Sequence, residues 1–316
     1  MKLTELGEFG LIDIIKELFA GIDAGGAEGI GDDCAVIPFD ENNSLVVTTD
    51  MLVEDVHFLR NSITPYELGR KSLAVNLSDV AAMGAAPCAS FLSVALPAGT
   101  ELKWAEEFLR GYKELSEEFR VSLLGGDTTA STGGITINVT ALGKAETANI
   151  KRRSAAKEGD VIFVTGFMGD SAQGLFDIRN GNARSDFARI HNNPKPYVRE
   201  GIWLGTRPEV HAMIDVSDGI ASDLRHIAEA SSSRVEIFIE KIPRNCSIEL
   251  AVTGGEDYVL LFTADAVLAP RLAQDYEVEF GTPLYEIGRI TKNGTAIKWL
   301  DNGKPVDMKW KGFEHF

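Results

Sequence analysis

The sequence is short of several things, and each shortage excludes a class of protein. Only 3 of its 316 residues are cysteines: Cys34, Cys88 and Cys246. They are odd in number, far apart and without a C-x-x-C spacing. That argues against a disulfide framework or a zinc knuckle and leads us to expect a reducing cytoplasm. Histidine is scarce, with 5 in the chain, and none stands at ligand spacing from His57, so zinc is not expected. Positive charge is in deficit: 31 Lys and Arg against 47 Asp and Glu give a formal net charge of −16. A nucleic-acid binder should carry a basic patch, so nucleic acid is not an expected partner. No apolar run approaches the ~20 residues that cross a bilayer. The start, Met1-Lys2-Leu3-Thr4-Glu5, has no basic region leading into an apolar core. Neither a signal peptide nor a membrane anchor is expected. No Gly-Lys-Ser/Thr occurs, which removes the Walker phosphate loop. The glycine-rich residues 25–31 fail the dinucleotide fingerprint, because Cys34 occupies the last glycine position.

What is present is an ordinary globular composition, 44% apolar and 25% charged, with a length that suggests two domains. Phe9, Ile12, Ile15 and Phe19 fall at helical spacing and predict an amphipathic helix over residues 7–19. Residues 44–49 read as a strand that runs into Asp50. Thr64-Pro65-Tyr66-Glu67 has the form of a capping box and predicts a helix to about Met83, stopped by Gly84. Thr100 is the expected cap of a second long helix, with Ala105, Phe108, Leu109, Tyr112, Leu115 and Phe119 on its apolar face. Strands are predicted at residues 90–96, 121–124 and 135–142.

The polar, Lys/Arg-rich residues 143–159 mark a change, and we place the boundary just before their centre: domains 1–148 and 149–316. The second half opens with a strand at residues 161–165, a glycine-rich turn and a helix. A long connection is expected over residues 180–199, then a short apolar run at 213–216, a helix from Asp218 onward, and strands at 235–239 and 258–262. Alternating strands and helices give a two-domain α/β (α+β) fold.

Carboxylates recur where apolar runs end beside glycine or another small residue. They are Asp32 and Asp33, Asp50, Asp79, Asp127, Asp215 and Asp218, and Glu256-Asp257. Strand ends are where ligands bind in open α/β sheets. Gathered carboxylates repel unless cations sit between them, and hard oxygen ligands suit Mg²⁺ with substrate phosphates. Any one aspartate taken alone is more often a turn or helix cap. The set is harder to dismiss, because it repeats one pattern. Asn76 and Asp79 share a helix face, either solvated or aimed at something specific. Residues 166–174 could cradle a phosphate or be a tight turn. His57 as a lone histidine, Tyr112 at core spacing and Arg153 after two other cations all have bland structural readings.

In order, the motifs include Gly7-Glu8-Phe9, Gly29-Ile30-Gly31-Asp32-Asp33-Cys34-Ala35, Thr49-Asp50, His57-Phe58 and Ala74-Val75-Asn76-Leu77-Ser78-Asp79. They continue through Gly125-Gly126-Asp127-Thr128, Gly169-Asp170-Ser171-Ala172, Ile214-Asp215-Val216-Ser217-Asp218-Gly219, Gly254-Gly255-Glu256-Asp257-Tyr258 and the tail Trp310-Lys311-Gly312-Phe313-Glu314-His315-Phe316. Together these resemble the thiamine-monophosphate kinase family, of the ATP-binding superfamily that includes aminoimidazole ribonucleotide synthetase and selenophosphate synthetase. The resemblance runs from Gly7 to Phe316.

It implies an N-terminal α/β domain whose sheet pairs into a barrel in a homodimer, and a C-terminal α/β domain closing over the site. It implies transfer of the γ-phosphate of ATP to thiamine monophosphate, the last step of thiamine diphosphate biosynthesis. Asp33, Thr48, Thr49, Asp50, Asp79, Asp127, Asp215 and Asp218 match metal-binding positions for several Mg²⁺ ions. Gly126, Asp127, Arg153, Ser217 and, less closely, Tyr112 match ATP contacts; His57, Glu256 and Phe313 match substrate contacts. No residue is expected as a general base, since a phosphate acceptor with a second pKa of about 6 is already mostly deprotonated.

Two alternatives stand beside this. One is another ATP-dependent phosphotransferase or synthetase of the superfamily. Residues 21–31 lack the Cys and Lys of a selenophosphate synthetase, the chain ends Glu314-His315-Phe316 without the cysteine of the hydrogenase-maturation relative, and Asp-Gly-Val-Gly-Thr-Lys is absent. The other is a non-catalytic acidic metal-binding protein, whose carboxylates should cluster locally rather than spread along the chain.

Overall fold

The alternating strand and helix signals resolve into two α/β halves joined by a short polar link. The structure, a computed structural model, describes residues 2–292 and 294–313. The first half carries α1 (Leu3–Leu6), α2 (Glu8–Phe19), β1 (Ala35–Pro38), β2 (Asn43–Val53), α3 (Pro65–Ala82), β3 (Ala86–Pro97), α4 (Leu102–Phe119), β4 (Ser122–Ser131) and β5 (Thr136–Glu146). Its sheet has the order β1-β2-β5-β3-β4, with β3 and β4 parallel and the other pairs antiparallel.

The second half carries β6 (Val161–Val164), α5 (Asp170–Arg179), α6 (Asp186–Asn192), α7 (Val198–Gly205), β7 (Val210–Asp215) and α8 (Ile220–Ala230). It continues with β8 (Arg234–Phe238), α9 (Ile248–Thr253), β9 (Leu260–Ala264), α10 (Ala269–Phe280), β10 (Tyr285–Thr291), β11 (Ile297–Asp301) and β12 (Lys304–Val306). These strands form one sheet in the order β12-β11-β8-β10-β6-β9-β7.

The capping box works as its spacing predicts. Thr64 Oγ1 accepts from the Glu67 N–H at 3.2 Å, and Glu67 Oε2 accepts from the Thr64 N–H at 2.8 Å. The helix it opens, α3, is buried on nearly every side, which is why its apolar pattern shows little periodicity. Leu73 and Leu77 lie in one core cluster with Ile137 of the first sheet and Met213 and Phe262 of the second. The helix is therefore the shared centre of both halves. A Leu77→Ala change there should cost about 2–5 kcal/mol.

Three local expectations fail. Thr100 does not cap α4: Glu101 holds the N-cap position without a side-chain bond, and Thr100 Oγ1 is buried with no partner. Leu109 faces outward, 49% exposed, while Phe108, Tyr112 and Leu115 are buried. Residues 180–199 contain α6 and the start of α7; Ser185 caps α6 through the Ala188 N–H at 3.0 Å. Asn, Pro and Gly punctuation masked a helix of only 7 residues. The tail residues Glu314, His315 and Phe316 lie outside the described residues.

Candidate active site

The period-2 alternation of β2 starts the site. Val46, Thr48 and Leu52 are buried, so Asp50 is on the same inward face, opposite Thr49. Thr49 Oγ1 instead lies 3.1 Å from Thr140 Oγ1 and 3.2 Å from the Val139 carbonyl, on the other side of the sheet. The helix α3 crosses this face. Asn76 Oδ1 accepts from the Asp50 N–H at 3.1 Å, and Thr48 donates to Asp79 at 2.5 Å. Asn76 is wholly buried, so the two polar positions on this helix do not form a solvated face.

Asp215, at the end of β7, accepts from the Ser78 hydroxyl. Asp33 arrives from the segment before β1. Its Oδ1 is 2.6 Å from Arg153 Nη2, while Arg153 N–H donates to Asp32 Oδ1 at 2.7 Å. Thus Asp33, Asp79 and Asp215, far apart in sequence, place carboxylate oxygens within 4.8 Å of one another. Burial and the neighbouring carboxylates raise the pKa of all three. Asp50 is raised to about 6 by burial and by Asp33.

Two polar atoms here are buried without a partner: Asp33 Oδ2 and Arg153 Nε. An acceptor left empty in a carboxylate knot fits a hard cation, and an unpaired guanidinium N–H beside it fits an anion such as phosphate. Cys34 lies next to the knot, and burial and the Asp79 carboxylate push its thiol well above its ordinary value.

Beside the knot is a cavity of about 680 Å³ whose walls include Asp50, Asp79, His57, Ser217, Asp218, Glu256 and Phe313. Residues from both halves and from the tail therefore meet in one space. Phe313 is held there by its N–H donating to the Asp218 carbonyl at 3.0 Å. Gly255 permits the approach of the Glu256 segment, since a Cβ on it would stand 2.3 Å from the Ser217 carbonyl oxygen. Glu256 itself has φ 65 and donates its N–H to that same oxygen at 2.7 Å. A non-glycine residue in that region is held by its surroundings and recurs at functional sites. Burial pushes the Glu256 carboxyl up, but Lys71 and His191 more than offset this and hold it below its ordinary value.

Gly126, Asp127 and Tyr112 are not brought to this place. Gly126 pairs with Leu92, which pairs with Val139, which pairs with Asp50. Three strand spacings of ~4.8 Å put Gly126 about 14 Å along the sheet from Asp50. Asp127 follows it on the exposed edge strand and accepts from the Thr128 N–H at 2.9 Å. Tyr112 is 2% exposed, and its hydroxyl donates to Ser90 at 2.8 Å, as its core spacing suggested.

Other residues of the site were not singled out from sequence. Asp223, buried on α8, accepts from the Asp218 N–H at 3.3 Å, and burial raises its pKa well above the ordinary value. Lys71 and His191 support Glu256. A carboxylate inside an apolar helical pattern was a readable signal for Asp223. Lys71, two turns before Asp79, was one for the support behind Glu256.

A buried carboxylate knot thus lies beside a cavity lined from both α/β halves of this chain. The family models for the N-terminal and C-terminal domains of AIR synthase related protein match residues 31–145 and 157–299. A thiamine-monophosphate kinase of Buchnera aphidicola is 38% identical, with 100% of each chain covered. One of Escherichia coli is 37% identical over 91% of each. A solved structure described as AaThiL complexed with AMPPCP and TMP has a TM-score of 0.84 at 33% identity, covering 100% of this chain and 99% of that one. The chain belongs to the thiamine-monophosphate kinase family, a family of enzymes. Among the described residues, no helix is long and apolar enough to cross a membrane.

Proposed function

We propose that this protein transfers the γ-phosphoryl group of ATP to thiamine monophosphate, giving thiamine diphosphate and ADP, the last step in making that cofactor. The observation that carries this reading is the knot of Asp33, Asp79 and Asp215 next to a cavity that also holds His57, Glu256 and Phe313. The relative complexed with AMPPCP and TMP supports it.

Asp33, Asp50, Asp79, Asp215 and Asp218, with Thr48 supporting Asp79, would hold several Mg²⁺ ions, which when bound supply the charge that lets two polyanions meet on an acidic protein. Arg153 offers its buried, unpaired Nε–H to the nucleotide, and Ser217 lines the cavity. His57, Glu256 and Phe313 position the acceptor: an aromatic face and a carboxylate suit a cationic heterocycle. The acceptor's phosphate oxygen needs no base to become a nucleophile. Positioning and charge neutralisation remain, so we infer direct in-line transfer without a phosphoenzyme.

We divide the chain into domains at 148/149, supported by the first sheet ending at Glu146 and the second beginning at Val161. The working unit in this reading is a homodimer joined along β4. Nearly all of β4 is exposed, Leu123 and Leu124 by 49% and 63%, and a long open edge invites pairing. Gly126 and Asp127 of one subunit would then serve the site of the other. Three unpaired cysteines support a reducing, cytoplasmic setting.

The test is a ³¹P NMR assay of the purified protein with Mg²⁺, ATP and either thiamine monophosphate or thiamine. Thiamine diphosphate and ADP from the monophosphate alone are expected. No ADP with either acceptor, with melting still raised by a non-hydrolysable ATP analogue, would mean another acceptor. Melting raised by Mg²⁺ alone, with nothing added by the analogue, would favour an acidic metal-binding protein.

A further inference from the structure

Lys71 stands out because it is a wholly buried cation that the phosphoryl-transfer reading does not use. Its Nζ lies 2.9 Å from Glu256 Oε1, 3.2 Å from the His191 carbonyl and 3.4 Å from the His57 carbonyl. An ammonium has three N–H donors, and here each has one acceptor. The acceptors come from three separate segments: the loop after β2, the end of α6, and the loop between α9 and β9.

The second oxygen of Glu256 is also fixed, 3.4 Å from His191 Nδ1, which itself meets Ser171 Oγ at 2.9 Å. Burial and Lys71 hold the His191 imidazole down at about 4, so it is neutral near pH 7 and Lys71 is the cation of this group. The neighbouring chain is stitched across the halves as well: Asn192 Nδ2 donates to the Ser62 carbonyl at 2.7 Å, and Arg70 Nε to Asn193 Oδ1 at 3.1 Å. Eight residues of helix separate Lys71 from Asp79, an axial rise of ~12 Å. Lys71 is thus displaced along α3 from Asp79 and buried behind Glu256, His191 and His57, which line the cavity.

We propose that Lys71 is a positioning residue for the acceptor: it joins the Glu256, His191 and His57 segments into one rigid wall and keeps Glu256 an oriented anion facing the acceptor's cationic ring. This rests on the acceptor reading given above. Removing the ammonium would free one oxygen of Glu256 and loosen a backbone already held at positive φ. The nucleotide side, built on Asp33, Asp79 and Arg153, shares none of these bonds.

The experiment is steady-state kinetics of the full chain, wild type, Lys71→Met, Glu256→Gln and the double variant, varying each substrate in turn. The wild type must first make thiamine diphosphate; if it does not, the acceptor reading fails, independently of Lys71. Given that activity, Lys71→Met should raise KM for thiamine monophosphate at least about tenfold, with KM for ATP within about twofold. In the Glu256→Gln background the same change should raise KM by less than about twofold, because the anion that Lys71 orients toward the acceptor is already gone. An equal rise in both backgrounds, a rise for both substrates alike, or no rise would overturn the proposal. Should Lys71→Met not fold, the double variant, which leaves no unpaired buried charge, is compared with Glu256→Gln alone. Equal KM supports the proposal, and a further tenfold rise overturns it.

Discussion

Asp79 and Asp127 carry the same local signature, a small residue beside a carboxylate after an apolar run, yet they end in opposite surroundings. Asp79 is drawn into a buried knot with Asp33 and Asp215, where one oxygen of each carboxylate lies within 4.8 Å of the others. Asp127 stands on the open edge of its sheet, with its own chain's Thr128 N–H as partner. The difference teaches that a ligand motif is complete only with its surroundings. The knot is assembled within one chain, around α3, whereas the edge strand would be completed by a second chain only in the proposed dimer.

The sharpest way to break that contrast is to neutralise the knot. Asp79→Asn and Asp50→Asn should each lower turnover by about a hundredfold or more while circular dichroism stays unchanged. Near-normal rates would remove the knot from the chemistry.

The next largest effect concerns the edge. Leu124→Glu puts a charge on the proposed pairing face and should convert dimer to monomer in sedimentation, with activity down about tenfold or more. Mixing inactive Asp79→Asn and Asp127→Asn subunits should then restore about a quarter of wild-type activity, since half the dimers are mixed and each has one intact shared site. No restoration would mean that Asp127 acts within its own chain, or not at all.

A smaller effect separates the two regions by titration. Burial and Asp33 raise Asp50 from 3.8 to about 6, and Asp79 and Asp215 shift in the same direction. Between those values the folded knot keeps protons that the unfolded chain gives up. Stability in metal-free buffer is therefore greatest at the acid end of that window and is lost as pH rises through about 6. The melting temperature should fall across it, and Mg²⁺ should restore more at neutral pH than at pH 5. A metal-free melting temperature that rises over the same window would contradict the buried cluster.

Smallest is Tyr112→Phe, which removes the bond to Ser90 and should cost about 1 kcal/mol of stability with KM for ATP unchanged. A tenfold rise in that KM would return Tyr112 to the nucleotide site.

Much of the architecture was legible because it rests on local rules. The Thr64 capping box, the alternation of β2 and the polar link after Glu146 each state their structure within a few residues. The short α6 and the true cap of α4 were not legible, since weak local signals there are settled by packing. Within the site, the recurrence of small residue and carboxylate picked out Asp33, Asp50, Asp79, Asp215 and Asp218. It could not tell them from Asp127, because nothing in the motif encodes distance.

Lys71, His191 and Asp223 show the same limit from the other side. Lys71 and His191 meet Glu256 from far along the chain, and Asp223 meets the Asp218 N–H five residues away, contacts that no local pattern announces. Sequence alone pointed to the family and to recurrent carboxylates at the ends of apolar runs, the pattern from which metal-assisted work on phosphates was expected. Only the tertiary structure decided which carboxylates meet, because their convergence depends on one buried helix packed between two sheets.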